Sequence, residues 1–167
     1  IGEGANTMDI GRTQLPNASP RLRLDAGSYG TMGIGMGFAI AAAVVNPDQP
    51  VVSVSGDSAL GFSGMEIETA CRHKLPIKIV VLNNGGIGRG VEALPTDGQM
   101  PAHLLTVAAR YDKMMEAFGG KGFYVEDPAD LKQALADAKA HDGPALVNVR
   151  LHPEAGRKPQ QFGWLTT

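Results

Sequence analysis

Runs of apolar residues alternate with amphipathic segments along most of the chain, a pattern typical of the βαβ units that build a parallel sheet. The clearest strand is Ile77 to Leu82, which is apolar almost throughout, as expected when helices cover both faces of a sheet. A β-branched run, Val51 to Ser55, predicts a second strand that ends at Gly56-Asp57. We therefore predict one α/β domain with a doubly wound, mostly parallel sheet and helices on both of its faces.

The same periodicity predicts the remaining elements. Helices are expected at residues 32–45, 63–73, 111–118 and 128–141, and short strands at residues 123–125 and 145–151. Ser63 is expected to cap the second of these helices. Residues 83–101, with five glycines and two prolines, predict a loop long enough to suggest a function. The domain is expected to span residues 1–151, followed by a tail over residues 152–167 with no assigned structure.

Composition and charge narrow the class of protein. Of the 167 residues 43% are hydrophobic, which excludes a disordered chain, and one cysteine excludes a disulfide-built scaffold. Lone Cys71 fits a reducing compartment, so we expect a cytoplasmic protein. A net charge of -2 gives no footprint for nucleic acid, and no apolar run reaches the roughly 20 residues of a membrane span. Because the chain opens on Ile1 without an initiator Met, we expect it to be a domain of a longer protein.

Two polar turns follow neighbouring strands in the sequence. Gly56-Asp57-Ser58 ends the first strand and Asn83-Asn84-Gly85-Gly86 ends the next, with one crossover between them. A right-handed crossover returns the chain parallel to its start, so both turns should meet at the carboxyl edge of the sheet. Each motif alone is an ordinary turn, since Gly, Asp, Asn and Ser favour turns. Their joint occurrence one crossover apart indicates a ligand site.

The donors at this edge suit a hard cation. The Asp57 carboxylate, the Asn84 amide oxygen and a free backbone carbonyl are the oxygen ligands that Mg²⁺ or Ca²⁺ prefers. One negative charge leaves such a metal underneutralised, so a phosphate-bearing ligand would complete its coordination. Backbone N–H groups of Ser58 and Ala59, just before the following helix, are candidates to bind that phosphate.

Three longer segments carry a family resemblance. Residues 56–69 (GDSALGFSGMEIET), 32–37 (MGIGMG) and 111–120 (YDKMMEAFGG) resemble the thiamine diphosphate (ThDP) enzymes, and within them the oxalyl-CoA decarboxylases. The 2-hydroxyacyl-CoA lyases are the nearest competitor. The resemblance covers Gly2 to about Gly156 and implies the ThDP-binding fold of the C-terminal, diphosphate-binding domain of a three-domain subunit.

The resemblance assigns cofactor roles to individual residues. It implies Mg²⁺ bound by Asp57, Asn84 and the Gly86 carbonyl, and a bent ThDP whose amino group donates to the Gly30 carbonyl. Met32 would be the apolar wedge that bends the cofactor; the alternative is a core methionine at a helix start. The cofactor-binding residues it implies are Ala5, Asn6, Thr7, Gly30, Thr31, Met32, Ser58, Ala59 and Gly88.

The resemblance also implies substrate contacts, and the chain departs from the family pattern at Gly88 and in its tail. Arg12 and Thr13 would lie near the phosphates of CoA, with a solvated loop charge as the alternative for Arg12. Arg157 in the tail is a third candidate for a CoA phosphate or a substrate carboxylate. Gly88 stands where the family usually has a tyrosine, which leaves a gap beside the thiazolium and puts the substrate preference in question.

The activity implied by the resemblance is the conversion of oxalyl-CoA to formyl-CoA and CO₂. The glutamate that protonates the cofactor lies, in the family, in the N-terminal pyrimidine-binding domain of a neighbouring subunit. We therefore expect a homo-oligomer when the subunit is full length, no catalytic residue in this chain, and no turnover by the 167-residue piece alone. The alternatives are a 2-hydroxyacyl-CoA lyase domain and a non-catalytic, flavodoxin-like module that binds a nucleotide or flavin.

Overall fold

A five-stranded, all-parallel sheet forms the centre of the computed structural model, which describes residues 1–153 and 155. Its strands lie in the order β1-β2-β3-β5-β4. They are β1 (Gly2–Glu3), β2 (Val51–Gly56), β3 (Ile77–Asn83), β4 (Lys121–Val125) and β5 (Ala145–Arg150). The predicted strands of the sheet interior are thus confirmed, with β2 and β3 paired from Val51↔Ile77 to Gly56↔Leu82.

Helices pack on both faces of this sheet. They are α1 (Ala5–Gln14), α2 (Gly35–Val45), α3 (Asp57–Ser63), α4 (Glu66–Arg72), α5 (Tyr111–Ala117) and α6 (Pro128–Ala140). The domain has two hydrophobic cores, one on each face of the sheet, and alternate residues of β3 contribute to one or the other. Ile79 packs with residues of α2 to α5, whereas Val80 packs with residues of α6. Side chains of a strand alternate between faces, so this division confirms the doubly wound α/β class.

The start predicted for the helix at residues 63–73 is wrong. Two shorter helices occupy this region, and Ser63 is the last residue of α3 rather than an N-cap. Helix α3 begins at Asp57 directly after β2 and buries Ala59 and Leu60. Two glycines, Gly61 and Gly64, weaken the helical pattern over this segment, which is why its sequence indicated a turn.

Other differences lie at element boundaries. Helix α2 begins at Gly35 rather than at residue 32, since Gly33 has a φ of 87°, which an α-helix does not accommodate.

Helix α1 was not predicted, because Met8 is its one buried residue and its apolar stripe is weak. The long loop runs over residues 84–110. No helix among the described residues is long and apolar enough to cross a membrane.

Candidate cofactor and metal site

The Asp57 carboxylate lies at the carboxyl edge of the sheet, between the ends of β2 and β3. Its residue is 3% exposed, and its Oδ2 accepts a hydrogen bond from the Gly85 N–H at 2.8 Å. Its Oδ1 accepts from the Ser58 N–H, also at 2.8 Å, so that N–H is engaged within the turn. The prediction that the two polar turns meet at one edge of the sheet is therefore confirmed.

The loop after β3 folds back tightly on itself. Asn84 Oδ1 accepts from the Gly86 N–H at 3.2 Å, and Asn84 Nδ2 donates to the Gly88 carbonyl at 3.2 Å. A Cβ at Gly86 would collide with the Arg89 carbonyl oxygen, and a Cβ at Gly90 would collide with the Asn84 carbonyl oxygen. Glycine is therefore required at both positions, because neighbouring backbone occupies the space of a side chain.

Burial dominates the electrostatics of Asp57. Desolvation raises the pKa of its carboxyl group, and the backbone N–H groups of Ser58, Gly85 and Gly86 only partly oppose this rise. Burial and the charge of Asp57 together raise the pKa of Tyr111 to about 12. A desolvated carboxylate held by N–H dipoles fits a divalent cation, since a cation would supply the positive charge that the ionised form needs.

The ligand set predicted from the sequence has one carboxylate, with amide and carbonyl oxygens beside it. Within residues 1–153 and 155, no group of three or more His, Cys, Asp or Glu side chains is placed to hold a metal ion. A set that consists of the Asp57 carboxylate, the Asn84 amide and the Gly86 carbonyl is of another kind, suited to Mg²⁺ that keeps waters and phosphate oxygens. Both Asn84 and Gly86 lie in the loop that Asp57 contacts.

The two halves of the predicted diphosphate site adjoin. Gly4, with a φ of 101°, turns the chain from β1 into α1, which places Ala5, Asn6 and Thr7 in the first turn of that helix. A Cβ built on Gly4 would lie 3.4 Å from the Cβ of Ala59 and 3.4 Å from the Cβ of Thr7. The first turns of α1 and α3 therefore both lie beside Gly4, at the same edge of the sheet as Asp57.

Glu3 holds the turn that carries Gly30, Thr31 and Met32. Its residue is fully buried, and its Oε1 accepts from the backbone N–H groups of Gly33 and Ile34, the latter at 2.9 Å. Desolvation raises the pKa of Glu3, opposed by these N–H groups and that of Gly35. Sequence reasoning assigned Glu3 no role, although an acid at the end of a short strand was the available signal.

The turn held by Glu3 faces α3. A Cβ on Gly33 would lie 3.3 Å from the Cβ of Phe62, so this turn rests against the helix that begins at Asp57. Met32 is half-buried there, in the turn before α2. The roles predicted for Gly30, Thr31 and Met32 toward a cofactor stay predictions.

Arg12 lies in a helix and forms an ion pair. It lies in the last turn of α1, and its guanidinium donates to Asp25 through Nε at 2.9 Å and Nη2 at 2.8 Å. The alternative of a solvated loop charge is wrong about the loop, because Arg12 is helical and paired, while its side chain is indeed exposed to solvent. The neighbouring Thr13 hydroxyl donates to the Ile10 carbonyl at 2.9 Å. A contact of Arg12 or Thr13 with CoA stays a prediction.

Gly88 and Arg157 are the remaining predicted residues. Gly88 is exposed, has a φ of 78°, and a Cβ there would meet nothing within 4 Å, so the space beside it is open. Arg157 lies outside the described residues.

A large cavity of about 730 Å³ lies beside the first residues of β2, away from Gly88, and is lined by Arg12, Arg21 and Arg23.

Sequence reasoning also missed a set of buried polar residues behind the loop that contacts Asp57. Asn83, Asp112 and Asn148 are each at most 1% exposed and are joined by hydrogen bonds. The available signal was one asparagine inside the apolar run of β5. Their partners are far apart in sequence, so no local pattern would have joined them.

Comparison with known proteins agrees with this geometry. Residues 3–149 match the family model described as thiamine pyrophosphate enzyme, C-terminal TPP binding domain; thiamine pyrophosphate, or TPP, is ThDP under another name. A solved structure, the thiamine diphosphate-dependent 4-hydroxybenzoylformate decarboxylase of Rhodococcus jostii RHA1, superposes with a TM-score of 0.62 at 26% identity, covering 77% of this chain and 24% of that one.

Curated relatives carry two different names. The chain is 49% identical over 180 positions to 2-hydroxyacyl-CoA lyase 1 of Mus musculus, covering 99% of this chain and 31% of that protein. It is 49% identical over 158 positions to oxalyl-CoA decarboxylase of Escherichia coli K12, covering 93% of this chain and 28% of that protein. The chain thus spans less than a third of the length of these relatives, and overall identity does not separate the two names.

Proposed function

Since this chain belongs to the family of C-terminal TPP-binding domains of thiamine pyrophosphate enzymes, we propose that it anchors the diphosphate of ThDP through Mg²⁺ at the carboxyl edge of its sheet. The observation that carries the proposal is the buried Asp57 carboxylate, which contacts the Gly85 N–H of the loop that follows the neighbouring strand. This contact supports a metal whose predicted ligands come from two adjacent strand ends.

The chain's own residues would bind and orient the cofactor. Asp57, Asn84 and the Gly86 carbonyl would hold Mg²⁺, and the first turns of α1 and α3 would enclose the diphosphate. Glu3 would hold the turn of residues 30–34 against the cofactor's other end. When bound, ThDP supplies the carbanion and the electron sink for cleavage of a bond next to a carbonyl group.

The substrate that we propose first is oxalyl-CoA, cleaved to formyl-CoA and CO₂ by the full-length subunit. A 2-hydroxyacyl-CoA, cleaved to formyl-CoA and an aldehyde, is the second candidate, because relatives of both names match at about the same identity. The missing glutamate would come from a pyrimidine-binding domain of a neighbouring subunit, so the working unit would be a homo-oligomer.

The cofactor proposal is tested by titrating ThDP into the full-length protein with Mg²⁺ present and, in parallel, with excess EDTA. We expect saturable binding that disappears when EDTA removes the metal. Binding of ThDP that is unchanged by EDTA would contradict a metal-anchored diphosphate. Tight binding of FMN without a divalent ion would instead favour the flavodoxin-like alternative.

The substrate is tested with the same full-length protein, loaded with ThDP and Mg²⁺. Oxalyl-CoA should release CO₂ and yield formyl-CoA, whereas a 2-hydroxyacyl-CoA should release aldehyde at a much lower kcat/KM. The reverse order of kcat/KM would reject oxalyl-CoA in favour of the lyase reaction while leaving the cofactor proposal intact.

A further inference from the structure

Three buried polar side chains from three elements meet behind the loop that contacts Asp57. Asn83 ends β3, Asn148 lies inside β5, and Asp112 lies in the first turn of α5. Their residues are 1%, 0% and 1% exposed. Buried polar groups are costly unless they are hydrogen-bonded, so the bonds that they form decide whether they share a role.

The two asparagine amides each donate two hydrogen bonds within this group. Asn148 Nδ2 donates to the Ala109 carbonyl at 2.8 Å and to Asp112 Oδ1 at 3.2 Å. Asn83 Nδ2 donates to the Ala109 carbonyl at 3.0 Å and to Asn148 Oδ1 at 3.2 Å. Turning either amide over would replace a donor by an acceptor and break bonds, so the network fixes one orientation of both side chains.

The network is anchored at its far end by a charged pair. Asp112 accepts from both branches of the Arg110 guanidinium, at 2.9 Å from Nε and 2.6 Å from Nη2. That guanidinium also lies 4.3 Å from the centre of the Tyr124 ring on β4. Although burial alone would raise it, the pKa of Asp112 falls below its ordinary value, because Arg110 and Asn148 both donate to the carboxylate. Asp112 therefore stays an ionised, fixed acceptor for Asn148.

At its near end the network reaches the candidate metal site. Asn83 Oδ1 accepts from the Gly85 N–H at 3.2 Å, and the same N–H donates to Asp57 Oδ2 at 2.8 Å. One peptide group is thus shared between the network and the carboxylate predicted to bind the metal. A shift of Asn83 would move this peptide and with it the orientation of the carboxylate.

We propose that Asn148 is a positioning residue for the metal site. It holds Asn83, which holds the Gly85 peptide, and that peptide fixes the Asp57 carboxylate and the start of the loop that carries Asn84. Groups that orient metal ligands commonly alter metal affinity by about 10- to 100-fold when they are removed. This inference rests on the proposed function, because it concerns the same ligand set.

The test compares two adjacent residues of β5 in the full-length protein. Asn148→Ala removes the network, whereas Val149→Ala removes apolar contacts with the α6 core on the opposite face of the sheet. Mn²⁺ binding is measured by electron paramagnetic resonance at saturating ThDP, and thermal unfolding is measured without metal. We expect Asn148→Ala to raise the Kd for Mn²⁺ about tenfold or more and Val149→Ala to change it less than about twofold, with both lowering the unfolding temperature.

The outcomes separate this inference from the proposed function. If both variants change the Kd for Mn²⁺ by the same factor, or Asn148→Ala leaves it unchanged, the positioning role is overturned. Asp57→Ala is measured alongside: loss of Mn²⁺ binding there with no specific effect at Asn148 rejects the inference alone, whereas unchanged binding in Asp57→Ala rejects the proposed function. Should Asn148→Ala fail to fold, Asn148→Leu, which keeps a similar volume without any hydrogen-bonding group, replaces it in the same comparison with Val149→Ala, and the same changes in Kd support or overturn the role.

Discussion

Two buried carboxyl groups stand at the ends of adjacent strands and differ in what surrounds them. Glu3 ends β1 and pairs with Ser55 of β2, and Asp57 comes directly after Gly56, the last residue of β2. Both carboxylates accept backbone N–H groups from a distant turn, and burial raises the pKa of both. The two acids are therefore alike in their burial, in the kind of hydrogen-bond donor they accept from and in the direction of their pKa shift.

Their partners assign them different roles. Asp57 faces a loop that carries further oxygen donors and is held from behind by Asn83. Glu3 faces the start of α2, where the sequence from Gly33 to Met36 offers no polar side chain. We conclude that a buried carboxylate becomes a candidate ligand through the second set of oxygen atoms beside it, and that Glu3, without them, serves as a brace for its turn.

Neutralising each acid in the full-length protein should give the largest difference between Asp57 and Glu3. Asp57→Asn should weaken Mn²⁺ binding at saturating ThDP by about 100-fold or more, because losing a buried charge partner costs about 3 kcal/mol or more. Glu3→Gln should change the same Kd less than about twofold, since one carbonyl oxygen remains to accept the N–H groups. Titration with Mn²⁺ followed by electron paramagnetic resonance measures both.

A larger effect of Glu3→Gln than of Asp57→Asn would exchange the roles of the two acids. Asp48 is an exposed acid in the turn after α2, and Asp48→Asn is the control for a general loss of negative charge. It should leave the Kd for Mn²⁺ unchanged.

A methyl group added at a glycine beside each acid should also affect metal binding differently at the two places. In Gly90→Ala the Cβ would collide with the Asn84 carbonyl, and overpacking costs about 1–3 kcal/mol, so the Kd for Mn²⁺ should rise about tenfold. In Gly35→Ala the Cβ would collide with the Glu3 carboxylate instead, and metal affinity should change much less. Isothermal titration with Mn²⁺ at saturating ThDP measures both constants.

Gly98→Ala is the matched control in the same loop. Gly98 has a φ of 79° and open space around its Cβ position, so alanine there adds backbone strain without a collision. An equal loss of affinity in Gly98→Ala and Gly90→Ala would assign the effect to general loop strain rather than to the Asn84 carbonyl.

How far the sequence predicted this arrangement depends on the range of each contact. The β2 and β3 strands, the crossover between them and the position of Asp57 beside the next turn all follow from local periodicity and a general rule of handedness.

What the sequence did not predict depends on contacts between distant segments. Asn148 reaches Ala109 across 39 positions, and Glu3 reaches Gly33 across 30. An isolated polar residue in an apolar strand shows that a partner exists without saying where it lies. Helix α3 was missed for a local reason, because Gly61 inside it, the glycines that flank it and its turn motif mask a weak helical pattern.

Truncating Glu3 should release the turn of residues 30–34 without affecting the loop of residues 84–90. Glu3→Ala leaves the buried N–H groups of Gly33 and Ile34 without acceptors, which costs about 1–3 kcal/mol for each such group. Hydrogen exchange of the peptide spanning residues 30–40 should accelerate about tenfold or more, while that of residues 84–90 should not change. Equal acceleration in both segments would show that Glu3→Ala loosens the whole domain.

The smallest effect concerns pH and distinguishes the acids by their response to metal. Because burial raises the pKa of Glu3, the folded state binds more protons than the opened state between the ordinary carboxyl value and the raised one. The free energy of opening the turn at residues 30–34 should therefore fall as pH rises through this window, relative to Glu3→Gln, when hydrogen exchange is corrected for its intrinsic rate. Asp57 should show the same trend in the loop of residues 84–90 only without metal, since Mg²⁺ and ThDP favour its ionised form. If Mg²⁺ and ThDP also abolish the pH dependence of opening at Glu3, both acids face the cation. Glu3 would then not serve only to hold the turn of residues 30–34.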